Sequence, residues 1–236
     1  MNLLTVDHIN AGYSKLQILW DVSIMISDKS VTALIGPNGA GKTTLIKTIA
    51  GLIKPYSGRI TFKNIDITGQ SPYRIRQMGL SVVPEGRRLF QNLTVRENLL
   101  MGAYTTSDND EVKDRIAWVE ELFPILRERR NQPARQLSGG EAQMLAIARA
   151  LVSRSDLLIV DEPSSGLAPK LVELIFEKLV ELKEKGFTVF IIDQFVEKAL
   201  SICDYAYVME NGKIVLSGTK KEIEENEHLK KHYLGL

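Results

Sequence analysis

The sequence predicts an α/β protein: a largely parallel sheet, antiparallel strands at its flank, and a helical segment inserted between its strands. Three observations carry this. Short apolar runs, VTALI, LSVV, LLIVD and FTVFIID, alternate along the chain with helical patterns. The opening stretches LLTVDHINAGY and ILWDVSIMIS instead alternate apolar with polar residues, as half-buried strands do. From Arg87 to about Gln136 no strong strand pattern appears.

Taken in order, the two alternating stretches are expected in a mixed sheet beside the buried run VTALI. GRITFKNIDI reads as a further strand pair or hairpin arm, SPYRIRQMG as a short polar helix, and LSVVPE as a buried strand ending at Glu85. TVRENLLMGAY and DEVKDRIAWVEELFPILRERR read as helices. The second places Val112, Ile116, Val119, Leu122, Phe123 and Leu126 on one apolar face. QLSGGEAQMLAIARALVSR is a long helix opened by a serine-glycine-glycine turn. LLIVDEP is a buried strand ending in acids. LAPKLVELIFEKLVELKEKG is an amphipathic helix stopped by Gly186. FTVFIID and FVEKALSIC follow as strand and helix. YAYVMENGKIVLSG is a hairpin around Asn211-Gly212. The tail TKKEIEENEHLKKHYLGL reads as a charged helix that packs on the rest.

Bulk properties narrow the function. A chain of 236 residues fits one large domain or a domain with a subdomain, and 44% hydrophobic residues suit a packed core. A formal charge of +1 argues against a general nucleic-acid or anionic-lipid surface. The single cysteine, Cys203, permits no internal disulfide and fits a reducing cytosol. The start MNLLTVDHINAGYS has no signal-peptide pattern, and no apolar run approaches the roughly 18 residues of a membrane span.

Between the run VTALI and the helical stretch LIKTIAGL lies GPNGAGKTT, from Gly36 to Thr44. Gly36, Gly41, Lys42 and Thr43 match G-x-x-x-x-G-K-[ST]. Glycines let the backbone wrap an anion closely, and the N–H groups of the loop and helix start point inward at it. Gly36, Pro37, Asn38, Gly39, Ala40, Gly41, Lys42, Thr43 and Thr44 are therefore the candidate nucleotide-binding residues. Lys42 would reach the outer phosphates, and the Thr43 hydroxyl would face magnesium.

LLIVDEP delivers Asp161 and Glu162 to the C-terminal tip of a strand, where ligands of open parallel sheets sit. Asp161 suits a magnesium nucleotide, and Glu162 suits a group that orients or deprotonates water. Alone, the pair would also serve as a turn before Pro163. LSGGEAQ begins at Leu137. Ser138, Gly139, Gly140 and Glu141 fit a capped helix start, and equally a second anion site on exposed N–H groups. Two such surfaces in one chain suggest that a second copy supplies the other half.

These motifs, in this order, resemble those of the ATP-binding cassette (ABC) ATPases along essentially the whole chain: the Walker A loop GPNGAGKTT, the signature LSGGE, and the Walker B strand LLIVDEP followed by SSGLAP. The resemblance implies a P-loop NTPase cassette spanning 1–236. Its RecA-like mixed sheet core and antiparallel β subdomain would be formed by 1–86 and 137–236, with a helical subdomain over 87–136. It implies ATP and Mg2+ as ligands, and two ATP molecules held between one subunit's Walker A loop and the other's signature residues, Leu137 to Glu141. Tyr13, otherwise a packing aromatic, falls where the family stacks adenine. Thr43, Glu85 and Asp161 fall at the metal, and Glu162 and Gln194 at the hydrolytic centre. Membrane-spanning permease subunits would be partners, with a solute-binding protein served indirectly and no nucleic acid. The location implied is peripheral, on the cytoplasmic face of the cell membrane. Arg87, Arg88, Leu89 and Phe90 would form a basic and apolar edge there, or simply a solvated surface. Arg149 is given no role beyond ion pairing.

Two positions depart from the commonest family pattern: Glu85 replaces a glutamine, and Gln194 a histidine. With PEGRRLF and DEPSSGLAP they are similar to the LivF-type ATPase subunits of branched-chain amino acid importers. Gln194 donates an amide hydrogen but cannot become a cation, so hydrolysis is expected to rest on Glu162 and positioning. Uptake of another small polar solute such as urea or an amide stays open, as does a hydrolysis-poor module paired with a more active subunit. A DNA-repair or translation ATPase is disfavoured by the lack of a coiled-coil insertion or second cassette, and a small-molecule kinase has no use for LSGGE.

Overall fold

The computed structural model describes residues 1–106 and 108–226. Two sheets form its frame. β1 (Asn2–Tyr13), β2 (Leu16–Ser27), β4 (Ser57–Phe62) and β5 (Ile65–Asp66) make an antiparallel sheet of order β2-β1-β4-β5. β3 (Val31–Ile35), β6 (Leu80–Val83), β7 (Leu157–Asp161), β8 (Thr188–Asp193), β9 (Tyr205–Glu210) and β10 (Lys213–Thr219) make the second, of order β10-β9-β3-β8-β7-β6. All neighbours in it are parallel except the hairpin β9–β10. The expectation of one mixed sheet holding β1 and β2 is thus corrected. Period-two alternation marks a strand as half-buried but not which sheet it joins. The Tyr207 hydroxyl on β9 ties the sheets, accepting from Met25 N at 2.9 Å and donating to Met25 O at 3.1 Å.

β3, β8 and β7, in the middle of the six-stranded sheet, are buried along their whole length, which is why they read as unbroken apolar runs. Side chains alternate between two cores. Leu158 and Val160 join one with the helices, and Leu157 and Ile159 join the other, under the antiparallel sheet and α1 (Lys42–Ile49).

α2 (Pro72–Gln77) precedes β6. The helical segment holds α3 (Val95–Gly102), α4 (Asn109–Leu122) and α5 (Pro124–Glu128). All six apolar-stripe residues from Val112 to Leu126 are buried. The single long helix expected there is broken at Phe123, because Pro124 has no N–H to continue a ladder and instead opens α5. A 3-10 turn (Ala134–Gln136) leads into α6 (Gly139–Val152). α7 (Pro169–Glu184) and α8 (Val196–Ile202) flank β8. Of the expected C-terminal helix, α9 (Lys220–Glu225) is seen, and 227–236 lie outside the described residues.

The Arg87–Phe90 edge divides. Arg88 and Phe90 are exposed, whereas Leu89 is buried and Arg87 turns inward. Arg87 Nε donates to Gln143 Oε1 at 3.0 Å and its Nη2 to Ser165 O at 3.2 Å. Among the described residues Arg149 forms no ion pair. It donates to the carbonyls of Arg88 and Arg87 at 2.8 and 3.0 Å and lies 5.6 Å from the Phe90 ring centroid. A guanidinium fork suits two adjacent carbonyls as well as a carboxylate.

Candidate active site

The loop Gly36–Gly41 leaves the tip of β3 and enters α1. Gly36 passes so close to β9 that a Cβ on it would lie 2.2 Å from Met209 O. Gly41 takes φ +108 at the N-cap of α1, a backbone conformation that favours glycine. The first-turn N–H groups of a helix have no intrahelical acceptor, so this end presents donors to an anion. The Lys42 ammonium lies buried under the loop, bonded to Gly36 O at 2.8 Å and Pro37 O at 3.0 Å.

A cleft of about 400 Å³ opens on this loop. Asn38, Gly39, Gly41, Lys42, Thr43 and Thr44 line it, facing Glu85, Glu162 and, from β2, Ile18. Asp161 closes β7 and is 4% exposed. Its carboxylate accepts a hydrogen bond from the Glu85 backbone N–H, which ties the end of the β6 segment to β7.

Charge in the cleft is unbalanced. Burial, then Glu162 and Glu85, push the Asp161 carboxyl up to about 6, against the pull of Lys42. Glu162 is raised by burial and by Glu85. Burial lowers the Lys42 ammonium, opposed by Glu162, Asp161, Asp193 and Glu85. A hard divalent cation would relieve this surplus of negative charge. Among the described residues no three acidic, histidine or cysteine side chains close a metal cage. Magnesium at a nucleotide is held through one or two carboxylates together with substrate phosphates. The exposed Thr43 hydroxyl and the Asp161 and Glu85 carboxylates are the fitting donors.

Other expected residues stand apart. Gln194 follows β8 directly and is exposed. Tyr13 is 45% exposed at the end of β1, with Lys47 Nζ 5.6 Å from its ring centroid and 3.3 Å from its hydroxyl; it does not line the cleft. Leu137 to Glu141 do not line it either. Ser138 caps α6 in a reciprocal box: its Oγ accepts from Glu141 N, and Glu141 Oε2 accepts from Ser138 N. Sequence reasoning missed Ile18, the Arg87 anchor, and a buried Ser164–Asp193 pair. The one signal was an aspartate closing the apolar run FTVFII.

The ABC transporter family model matches residues 19–165, which holds both the loop and the carboxylate strand. The chain belongs to the ABC transporter family. It is an ATP-binding cassette ATPase. The high-affinity branched-chain amino acid transport ATP-binding protein BraG of Pseudomonas aeruginosa is 44% identical over 99% of this chain and all of its own length. The probable branched-chain amino acid transport ATP-binding protein LivF of Archaeoglobus fulgidus is 41% identical over 99% of each chain. The lipopolysaccharide export ATP-binding protein LptB of Haemophilus influenzae is 32% identical over 100% of this chain and 98% of its own. A solved ATP-binding cassette of an ABC transporter, in its ADP conformation, superposes with a TM-score of 0.89 at 31% identity over the whole of both chains. Among the described residues no helix of this cassette is long and apolar enough to cross a membrane.

Proposed function

We propose that this cassette powers uptake of branched-chain or other amino acids. It acts as one of two paired ABC ATPase subunits, identical or related, docked peripherally on membrane-spanning permease subunits at the cytoplasmic face. A solute-binding protein is served indirectly. The observation that carries the hydrolytic reading is the single cleft in which the glycine loop and Lys42 meet Glu162 and Glu85. The substrate class is supported by 44% and 41% identity to two branched-chain amino acid transport subunits.

ATP seats its outer phosphates on the loop from Gly36 to Thr44. Lys42 turns from the carbonyls of Gly36 and Pro37 to phosphate oxygens. Thr43, Asp161 and Glu85 would hold magnesium, which would supply positive charge to those oxygens. Glu162 orients the attacking water and accepts its proton, a task that a raised carboxyl pKa favours. Gln194 donates an amide hydrogen to the terminal phosphate, and Tyr13 stacks on adenine. The signature residues Leu137 to Glu141, which do not line their own cleft, complete the partner subunit's site. ATP then favours the closed pair because it binds both halves there and only one half when they are apart. The segment 87–136 forms the helical subdomain, and its exposed Phe90, Leu100, Met101 and Tyr104 offer an apolar face to the permease.

Magnesium-dependent ATP turnover of the purified chain, beside Glu162→Gln, tests this reading. The parent is expected to turn over and the variant to lose about a hundredfold or more, while sizing in ATP shows the variant as a trapped dimer. ATP binding without turnover in either protein would favour the second reading, a hydrolysis-poor module beside a more active subunit, for which Gln194 speaks.

A further inference from the structure

Asp193 closes β8 with no exposed surface, and it lines no part of the cleft. A buried carboxylate is costly unless its oxygens are satisfied. Here the Ser164 hydroxyl lies 2.9 and 2.7 Å from its two oxygens, and Phe195 N donates to Oδ1 at 2.9 Å. The backbone N–H groups of Gln194 and Ser164 add to this cage. Ser164, 3% exposed, stands two residues beyond Glu162.

Glu162 itself has φ +49, the left-handed region that residues with a side chain avoid. Such a conformation persists only where its surroundings over-determine it. Its N–H donates to Ile192 O at 2.8 Å, and its carbonyl accepts from Ser165 N at 3.2 Å. The turn is therefore fastened to the tip of β8 twice, at Ile192 before Glu162 departs and at Asp193 after it.

We propose that Ser164 and Asp193 form a clamp that positions Glu162. The clamp holds the backbone in the left-handed turn that sends the Glu162 carboxylate into the cleft. The same cage fixes the start of the Gln194 segment, so both groups facing the terminal phosphate are referred to one buried anion. Asp193 touches no substrate and acts as a positioning residue. The inference rests on Glu162 being the hydrolytic carboxylate.

The test compares Ser164→Ala with Ser164→Thr, in the full chain and on the Glu162→Gln background, measuring kcat, KM for ATP and nucleotide affinity. Ser164→Ala is expected to lower kcat about tenfold or more, since small misplacements of a reacting group are this costly. ATP affinity should stay within about twofold, because the loop is untouched. Threonine, which keeps the hydroxyl, should restore most of kcat. On the Glu162→Gln background, alanine should add no further loss. A parental kcat in Ser164→Ala, an equal loss on both backgrounds, or a threonine variant as slow as alanine would overturn the clamp. If Glu162→Gln itself keeps parental turnover, the reading of Glu162 fails and takes the clamp with it. If Glu162→Gln is inactive and Ser164→Ala is not slowed, the clamp alone fails. Should Ser164→Ala not fold, Asp193→Asn, similar in size with one acceptor fewer, carries the same comparison.

Discussion

Cys203 is the sole cysteine of the sequence, 5% exposed behind α8. Burial pushes its thiol up to about 11. The thiolate is the reactive form, so at pH 8 the folded protein should alkylate about a hundredfold more slowly than the chain in urea. The linkage has a definite sign. The unfolded thiol ionises first as pH rises, so the contribution of this group is complete below about pH 9 and is lost on the way to 11. Cys203→Ala should show a smaller fall in urea midpoint across that window than the parent; an equal fall would refute the assignment. Residues of this kind differ in how far the sequence exposes them. Lys42, Thr43, Asp161 and Glu162 were legible because their chemistry is local: a loop spacing, or two acids closing an apolar strand. Ser164 and Asp193 were not, because they lie 29 residues apart and meet only where two parallel strands end side by side. Ile18 escaped for the same reason, since nothing near it in sequence says that β2 passes the phosphate loop.

Among the elements, the β9–β10 hairpin shows the same division. Asn-Gly between alternating strands announces the turn, and Asn211 and Gly212 take φ +47 and +76 as such a turn requires. What the turn is fastened to could not be read. Gly212 N donates to Ala40 O at 2.8 Å, inside the phosphate loop, and Trp20 N donates to Gly212 O at 2.8 Å from β2. A Cβ on Gly212 would lie 1.8 Å from Ile18 O, and its Cα is 3.5 Å from where one would sit on Gly41. The turn is wedged between the antiparallel sheet and the loop that binds phosphate. Gly212→Ala must therefore shift either β2 or the loop. Its ATP affinity should fall about tenfold, a conversion of roughly 1.4 kcal/mol. Gly186→Ala is the control: its φ of +88 is as strained, but nothing lies within 4 Å of its Cβ position. It should lose stability and keep ATP affinity. Equal affinities in the two variants would leave Gly212 as an ordinary turn residue.

Across the whole molecule, the six-stranded sheet is the common wall of both cores. The helical segment was legible as a separate stretch because its pattern holds no strand, yet its apolar stripe packs into the core of α6 and the sheet. Neighbouring residues of β7 serve opposite sides: Ile159 faces the antiparallel sheet, and Val160 faces the helices. A wall shared in this way predicts one cooperative transition rather than separate melting of the helical and antiparallel parts. The two tryptophans are placed to test it. Trp20 lies on β2, while Trp118 on α4 stacks on Phe187 with centroids 5.4 Å apart. Trp20→Phe and Trp118→Phe each leave one reporter, and both should give the same urea midpoint. Truncating Ile159 or Val160 to alanine should cost about 2–4 kcal/mol. Either change should move both reporters together, although each opens a cavity on only one side. If Ile159→Ala moved the Trp20 signal and left Trp118 in place, the helical segment would hold its fold without the wall, and the cassette would melt as two units.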